Sequence, residues 1–115
     1  MALELEFSAE AEKDFELILD HLIDSYREFG EDPEEAVEHA IRRVHEIRRS
    51  AERILVAPHR GVGHDDILDG VRHLTIGRAI FWFDIDETRH TVRLLAVFYG
   101  GQDHIRRMLT RLLSE

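Results

Sequence analysis

The run 91–99, Thr-Val-Arg-Leu-Leu-Ala-Val-Phe-Tyr, is apolar on both of the faces that a β-strand presents. Under strict alternation, Val92, Leu94, Ala96 and Phe98 share one side, and Leu95 and Val97 share the other. A strand of this kind belongs inside a sheet that is covered on both faces. One layer of helices covers only one of them. The second needs a C-terminal helix, a dimer mate or a partner protein, since an apolar face left open usually marks an interaction site.

The remaining pattern supplies the rest of one α+β domain spanning 1–115. Leu3, Leu5 and Phe7 alternate with Glu4 and Glu6, the period of a strand with one wet face. Ser8 then offers an N-cap, and Glu10 and Glu12 suit a helix N-terminus. Ala11, Phe15, Ile18, Leu19, Leu22, Ile23, Tyr26 and Phe29 keep a helical stripe to about Gly30, a natural stop. Asp32, Pro33 and Glu35 form a capping-box-like start for a second helix. Its stripe runs through Val37, Ala40, Ile41, Val44, Ile47, Ala51, Ile54 and Leu55. The short loop between the two helices predicts an antiparallel helical hairpin.

Pro58, Gly61 and Gly63 mark a loop, and three β-rich runs follow at 71–76, 79–86 and 91–99. Gly77-Arg78 fits a two-residue hairpin turn, which pairs Ile76 with Ala79, Leu74 with Phe81 and Arg72 with Phe83. One face then carries Leu74, Ile76, Phe81, Phe83 and Ile85, and the other His73, Thr75, Ile80 and Trp82. Residues 86–90 form the second hairpin loop, and a short amphipathic helix from about 103 to 113 closes the chain. The expected order is β-α-α-β-β-β-α, with an N-terminal strand and helical hairpin packed on an antiparallel sheet.

Charge is spread unevenly. Residues 1–40 hold 14 acids against Lys13 and Arg27, whereas 41–115 hold 13 arginines against 10 acids. The total of −9 argues against sequence-independent nucleic-acid binding, which needs a broad positive field. With no cysteine, disulfide and thiolate chemistry are excluded. No apolar run approaches the roughly 18 residues of a membrane span. The acidic N-terminus differs from a signal peptide, so a cytoplasmic protein is expected.

Few residues offer catalytic chemistry. None of Ser8, Ser25, Ser50 and Ser114 lies in a nucleophile elbow. Eight histidines are many for this length, but His59, His64, Asp65 and His104 show no metal-ligand spacing, and His21, His39 and His45 fall on helix positions that suit solvated imidazoles. No metal or other cofactor is therefore expected. Acid–base ribonuclease chemistry is the serious enzymatic option, with His104 and Arg72, Arg78, Arg93 and Arg106 as the available groups. Against it, Arg72 can pair with a helix carboxylate, and Arg106, Arg107 and Arg111 read as the wet face of the last helix. Phe98-Tyr99-Gly100-Gly101 is either a core aromatic followed by a turn or the rim of a binding face, with Tyr99, Gln102 and His104 as polar groups. Trp82 is a core aromatic or, on an uncovered face, an interface anchor.

Taken in order, these motifs resemble the ParE branch of the RelE/ParE toxin superfamily. Phe7-Ser8-Ala9-Glu10-Ala11-Glu12-Lys13-Asp14 is similar to the family's opening strand and first helix, and Pro33, Ala36 and Ala40 to the start of its second. Pro58-His59-Arg60-Gly61 resembles its Pro-x-x-Gly loop, Gly70-Val71-Arg72 its entry to the sheet, and Ile80-Phe81-Trp82 its aromatic strand. Val97-Phe98-Tyr99-Gly100-Gly101-Gln102-Asp103-His104 is the most specific match.

The resemblance implies a toxin neutralised by a ParD-like antitoxin, whose C-terminal segment would cover the apolar second face of the sheet. It further implies DNA gyrase as the target. The RelE branch instead cuts ribosome-bound mRNA with lysines, arginines and a tyrosine, a pattern from which this chain departs, its only lysine being Lys13. The expectation is a non-enzymatic, protein-binding toxin. Arg72 is its interface or sheet-anchoring cation, Trp82 and Phe98 its apolar anchors, and Tyr99, Gln102 and His104 its rim contacts. His104 keeps open the alternative of a ribosome-dependent mRNA endonuclease, and a non-toxic antitoxin-binding relative is a third reading.

Overall fold

A computed structural model describes residues 2–100 and 103–114. Strand β1 (Glu4–Phe7) leads into helices α1 (Ala9–Glu28) and α2 (Pro33–Ser50). Two 3-10 segments, Ala51–Val56 and Pro58–Arg60, then descend to β2 (Val62–Gly63), β3 (Arg72–Ile76), β4 (Ala79–Asp86), β5 (Thr91–Tyr99) and α3 (His104–Leu113).

Local chemistry accounts for the helix limits. The Ser8 hydroxyl accepts the Ala11 N–H at 3.0 Å, and one Asp32 carboxylate oxygen accepts the N–H groups of Glu34 and Glu35 at 2.9 and 3.0 Å. Gly30 adopts φ +99° just past the end of α1, a conformation that favours glycine. The α2 pattern overshoots in sequence: the α-helix stops at Ser50 and tightens into 3-10 geometry, which still buries Ala51 and Ile54. Phe29, counted in the first stripe, is 88% exposed, and Val37 and Ile41 of the second keep 38% and 42% of their surface exposed. Ala36, Ala40 and Ile47 are the buried residues of α2.

Among the described residues the sheet has five strands in the order β1-β5-β4-β3-β2. The β3–β4 register is the one expected, with Gly77 at φ +61° in the turn. Strand β1 lies parallel to β5, so the sheet is mixed where an antiparallel one was expected. The long connection that parallel neighbours require runs through the helical hairpin and then strands β2, β3 and β4. Val62–Gly63, expected in a loop, pairs with β3 as a short edge strand.

Strand β5 departs from simple alternation. Trp82 pairs with Ala96 and Phe83 with Leu94, so Leu95 is the extra residue of a β-bulge. Beyond it the faces exchange. Val92, Leu94 and Val97 pack with Phe15, Ile18, Leu22, Ile47, Phe81 and Phe83 beneath the helical hairpin. Ala96 and Phe98, with Leu95 partly buried beside them, join Val71, Ile80 and Trp82 in a second core on the opposite face. The expected grouping of Val92, Leu94, Ala96 and Phe98 is corrected by that one inserted residue. Met108 and Leu112 of α3 cover the second core, so of the three covers that the sequence allows, the chain's own C-terminal helix is the one in place.

Strand β1 ends opposite Leu94, and β5 then has no described strand beside it on that edge. The orphaned polar groups are taken by α1 and its cap. The Ser8 hydroxyl donates to the Leu95 carbonyl at 3.3 Å, and the Asp14 carboxylate accepts the Val97 N–H at 2.9 Å. Asp14 also accepts two bonds from Arg111 of α3, at 2.7 and 2.8 Å. Arg111, expected on a wet helix face, is thus the clamp that fastens α3 to α1.

Candidate functional site

The densest group of chemistry-bearing side chains lies on the second face of the sheet, under the start of α3. Trp82 is fully buried at its centre. Three imidazoles surround the indole: His64 from the loop after β2, with ring centroids 4.6 Å away, His73 from β3 at 5.3 Å, and His104, the first residue of α3, at 5.6 Å. His64 Nε2 lies 2.6 Å from His73 Nδ1, and the Trp82 indole N–H donates to His104 Nδ1 at 3.2 Å. His73 and His104 meet edge to face at 4.6 Å.

The sequence dictates half of this arrangement. His73 and Trp82 are directly paired across β3 and β4 and therefore point to the same side. His64 is brought in by its N–H bond to the Val71 carbonyl at 2.8 Å, which extends the β2–β3 pairing by one step. Sequence reasoning does not place His64 in this group; its position two residues past a glycine-flanked valine is the one signal available. Among the described residues, no three His, Asp or Glu side chains are arranged to hold a metal ion.

Burial, then the neighbouring His104 and His64, lowers the His73 imidazole to about pKa 4. Burial and His64 lower His104 as well. Both rings are therefore neutral at pH 7, which for His104 the geometry also requires. His104 accepts the indole N–H only through an unprotonated Nδ1, and one of the two facing nitrogens of His64 and His73 must be an acceptor.

The other expected site residues lie in different surroundings. Phe98 is buried beneath α3, with the Arg107 and Arg111 guanidinium groups 4.5 and 5.2 Å from its ring centre. Tyr99 is half-buried on the hairpin side of the sheet, with the Arg78 guanidinium 5.1 Å from its ring. Gln102, and Gly101 of the double glycine, lie outside the described residues. Arg72 faces away from the histidines: its Nη1 donates to the Gly61 carbonyl at 3.0 Å and the His59 carbonyl at 3.4 Å, tying the second 3-10 segment to β3. A Cβ at Gly61 would sit 2.9 Å from Phe83 Cζ and 3.1 Å from the His73 carbonyl oxygen. Gly61→Ala is expected to cost about 1–3 kcal/mol by overpacking, read as a lower midpoint in urea denaturation.

No protein-family model and no curated protein sequence matches the chain. Solved structures do. A chain of the chromosomal ParDE toxin–antitoxin system from P. aeruginosa superposes with a TM-score of 0.66 at 19% identity, over 87% of this chain and 98% of that one. The chain has the fold of the RelE/ParE toxins. A chain of the RelBE2 toxin–antitoxin complex from Mycobacterium tuberculosis gives a TM-score of 0.59 at 18% identity, covering 86% of this chain and 99% of that one. A mutant of the E. coli toxin RelE in the free state gives 0.53 at 10% identity, over 98% and 99%. Within this RelE/ParE fold the sheet face that carries Trp82 is closed by α3, and among the described residues no helix is long and apolar enough to cross a membrane.

Proposed function

We propose that the chain is the toxin of a type II toxin–antitoxin module, masked by a ParD-like antitoxin, and that it acts by binding DNA gyrase without enzymatic chemistry. The likeness of fold to a chain of a ParDE system carries this reading. Composition supports binding over RNA cleavage: the net charge is −9 and the only lysine is Lys13, on α1 and far from the C-terminal motif in sequence. The second core is closed by α3 and Ile105, Leu109 and Leu113 are exposed, which supports an antitoxin contact on the outer surface of that helix.

One observation favours the second reading, an mRNA endonuclease. Imidazoles that sit close together are suitable proton acceptors and donors, and His64, His73 and His104 are such a group. Expression without antitoxin separates the two, with gyrase supercoiling and mRNA integrity assayed side by side. Inhibited supercoiling with intact mRNA is expected. Cleavage that His104→Ala abolishes would replace it with the nuclease reading, and normal growth would point to a non-toxic antitoxin-binding relative.

A further inference from the structure

We propose that α3 is a proton-released cover: protonation of the imidazoles around Trp82 frees the first turn of α3 and opens the second core to solvent. The inference stands on hydrogen-bond chemistry at the start of the helix, whichever reading of the function holds.

Helix α3 begins without a side-chain cap. Its N-cap residue Asp103 adopts φ +57° and makes no side-chain capping bond, a left-handed conformation that costs a non-glycine residue free energy. The bond that ties the first turn to the sheet runs from the Trp82 indole N–H to His104 Nδ1. A doubly protonated imidazole has two donors and no acceptor, so charging His104 removes that bond and turns a second donor toward the indole. The same holds beside it. His64 and His73 face each other through ring nitrogens 2.6 Å apart, a distance that only a shared proton allows. Charging both rings puts an N–H on each facing nitrogen, which removes the shared-proton bond and sets two cations against each other at contact. The positive end of the α3 dipole lies at His104 and opposes its protonation further while the helix stays docked.

Asp103 precedes His104 in the chain and makes no capping bond, and no carboxylate is among the charges that bear on His73 or His104. The charges that bear on His73 are those of His104 from α3 and His64 from the loop, and the one that bears on His104 is His64. Strand β4 contributes the uncharged indole, and β5 contributes Ala96 and Phe98. Asp65, beside His64, accepts the Gly70 N–H, while Arg72, beside His73, is turned to the Gly61 carbonyl. Arg107 lies over Phe98.

The direction follows from linkage. His73 titrates near 4 when docked, and release of α3 takes away His104 and part of the burial that lower it, moving it up toward its ordinary 6.5, so the docked form is fully favoured above 6.5. It loses ground as the pH falls from there toward 4. For His73 alone, complete return to 6.5 sets an upper bound of about 20-fold on the shift toward release between pH 7 and pH 5.

Trp82 is the single tryptophan and reports on its own cover. Acrylamide quenching of the full-length chain should rise severalfold between pH 7 and pH 4.5, with a red-shifted emission maximum and an unchanged far-UV sheet signal. In His104→Gln, whose amide oxygen can still accept the indole N–H, the midpoint should move to lower pH. The proposal is overturned by flat quenching across that range, by an identical midpoint in His104→Gln, or by a transition that takes the whole far-UV signal with it. Should the variant not fold, an NMR titration of the wild-type chain decides. The imidazole shifts of His104 and His73 must then move together with the amide shifts of Met108 and Leu112, and independence between them refutes the cover.

Discussion

Asp14→Ala is expected to remove about 3–5 kcal/mol of folding stability, a large share of the roughly 5–15 kcal/mol typical of such a domain. Asp14 is almost fully buried on α1 and holds three bonds at once: the Val97 N–H of β5 and both terminal nitrogens of Arg111 on α3. Truncation leaves a buried amide and a half-buried guanidinium without the carboxylate that both use, and unmet desolvation makes such losses costly. Asp14→Asn separates the two contributions. The Asn oxygen still accepts from Val97, whereas the charge that pairs with Arg111 is gone, so an intermediate loss is expected. Urea denaturation followed by far-UV circular dichroism measures both; a midpoint for Asp14→Ala within error of wild type would contradict the role of Asp14 as the joint between three elements.

The contrast between Asp14 and the helix caps explains what the sequence makes legible. As caps, Ser8, Asp32 and Gly30 act within a few residues of themselves, and hydrophobic periodicity is a local signal too, so both helices and the β3–β4 register are legible in the order of residues. The bulge at Leu95 is not. Nothing in Leu-Leu-Ala-Val marks an extra residue; it appears only when β5 is paired with β4 on one side and runs past the end of β1 on the other. Asp14 is hidden for the same reason. In sequence it is one acid among fourteen in the first 40 residues, and its role exists only where β1 has run out. The histidine cluster falls between these cases. Alternation places His73 and Trp82 on one face, but His64 and His104 arrive from a loop and a helix start whose positions tertiary packing decides.

Trp82→Ala is expected to be the costliest change on the second face, at about 3–5 kcal/mol. The indole is completely buried, touches His64, His73 and His104, and shares a core of six buried residues with Met108 of α3. That core is small, so it has little else with which to collapse around the void. Trp82→Phe keeps an aromatic ring but removes the N–H that His104 accepts, and about 1 kcal/mol is expected for the hydrogen bond itself. The location of the loss matters as much as its size. The sheet separates the two cores, so in Trp82→Ala the amides of α3 should lose hydrogen-exchange protection first, while those of α1 and β4 keep most of theirs. A residue that acts mainly as a contact for a partner would behave otherwise: its truncation would weaken binding and leave the free chain's stability near that of wild type. Buried beneath α3, Trp82 can influence a partner only through the helix that it holds in place, so any loss of partner binding in Trp82→Ala should track the undocking of α3.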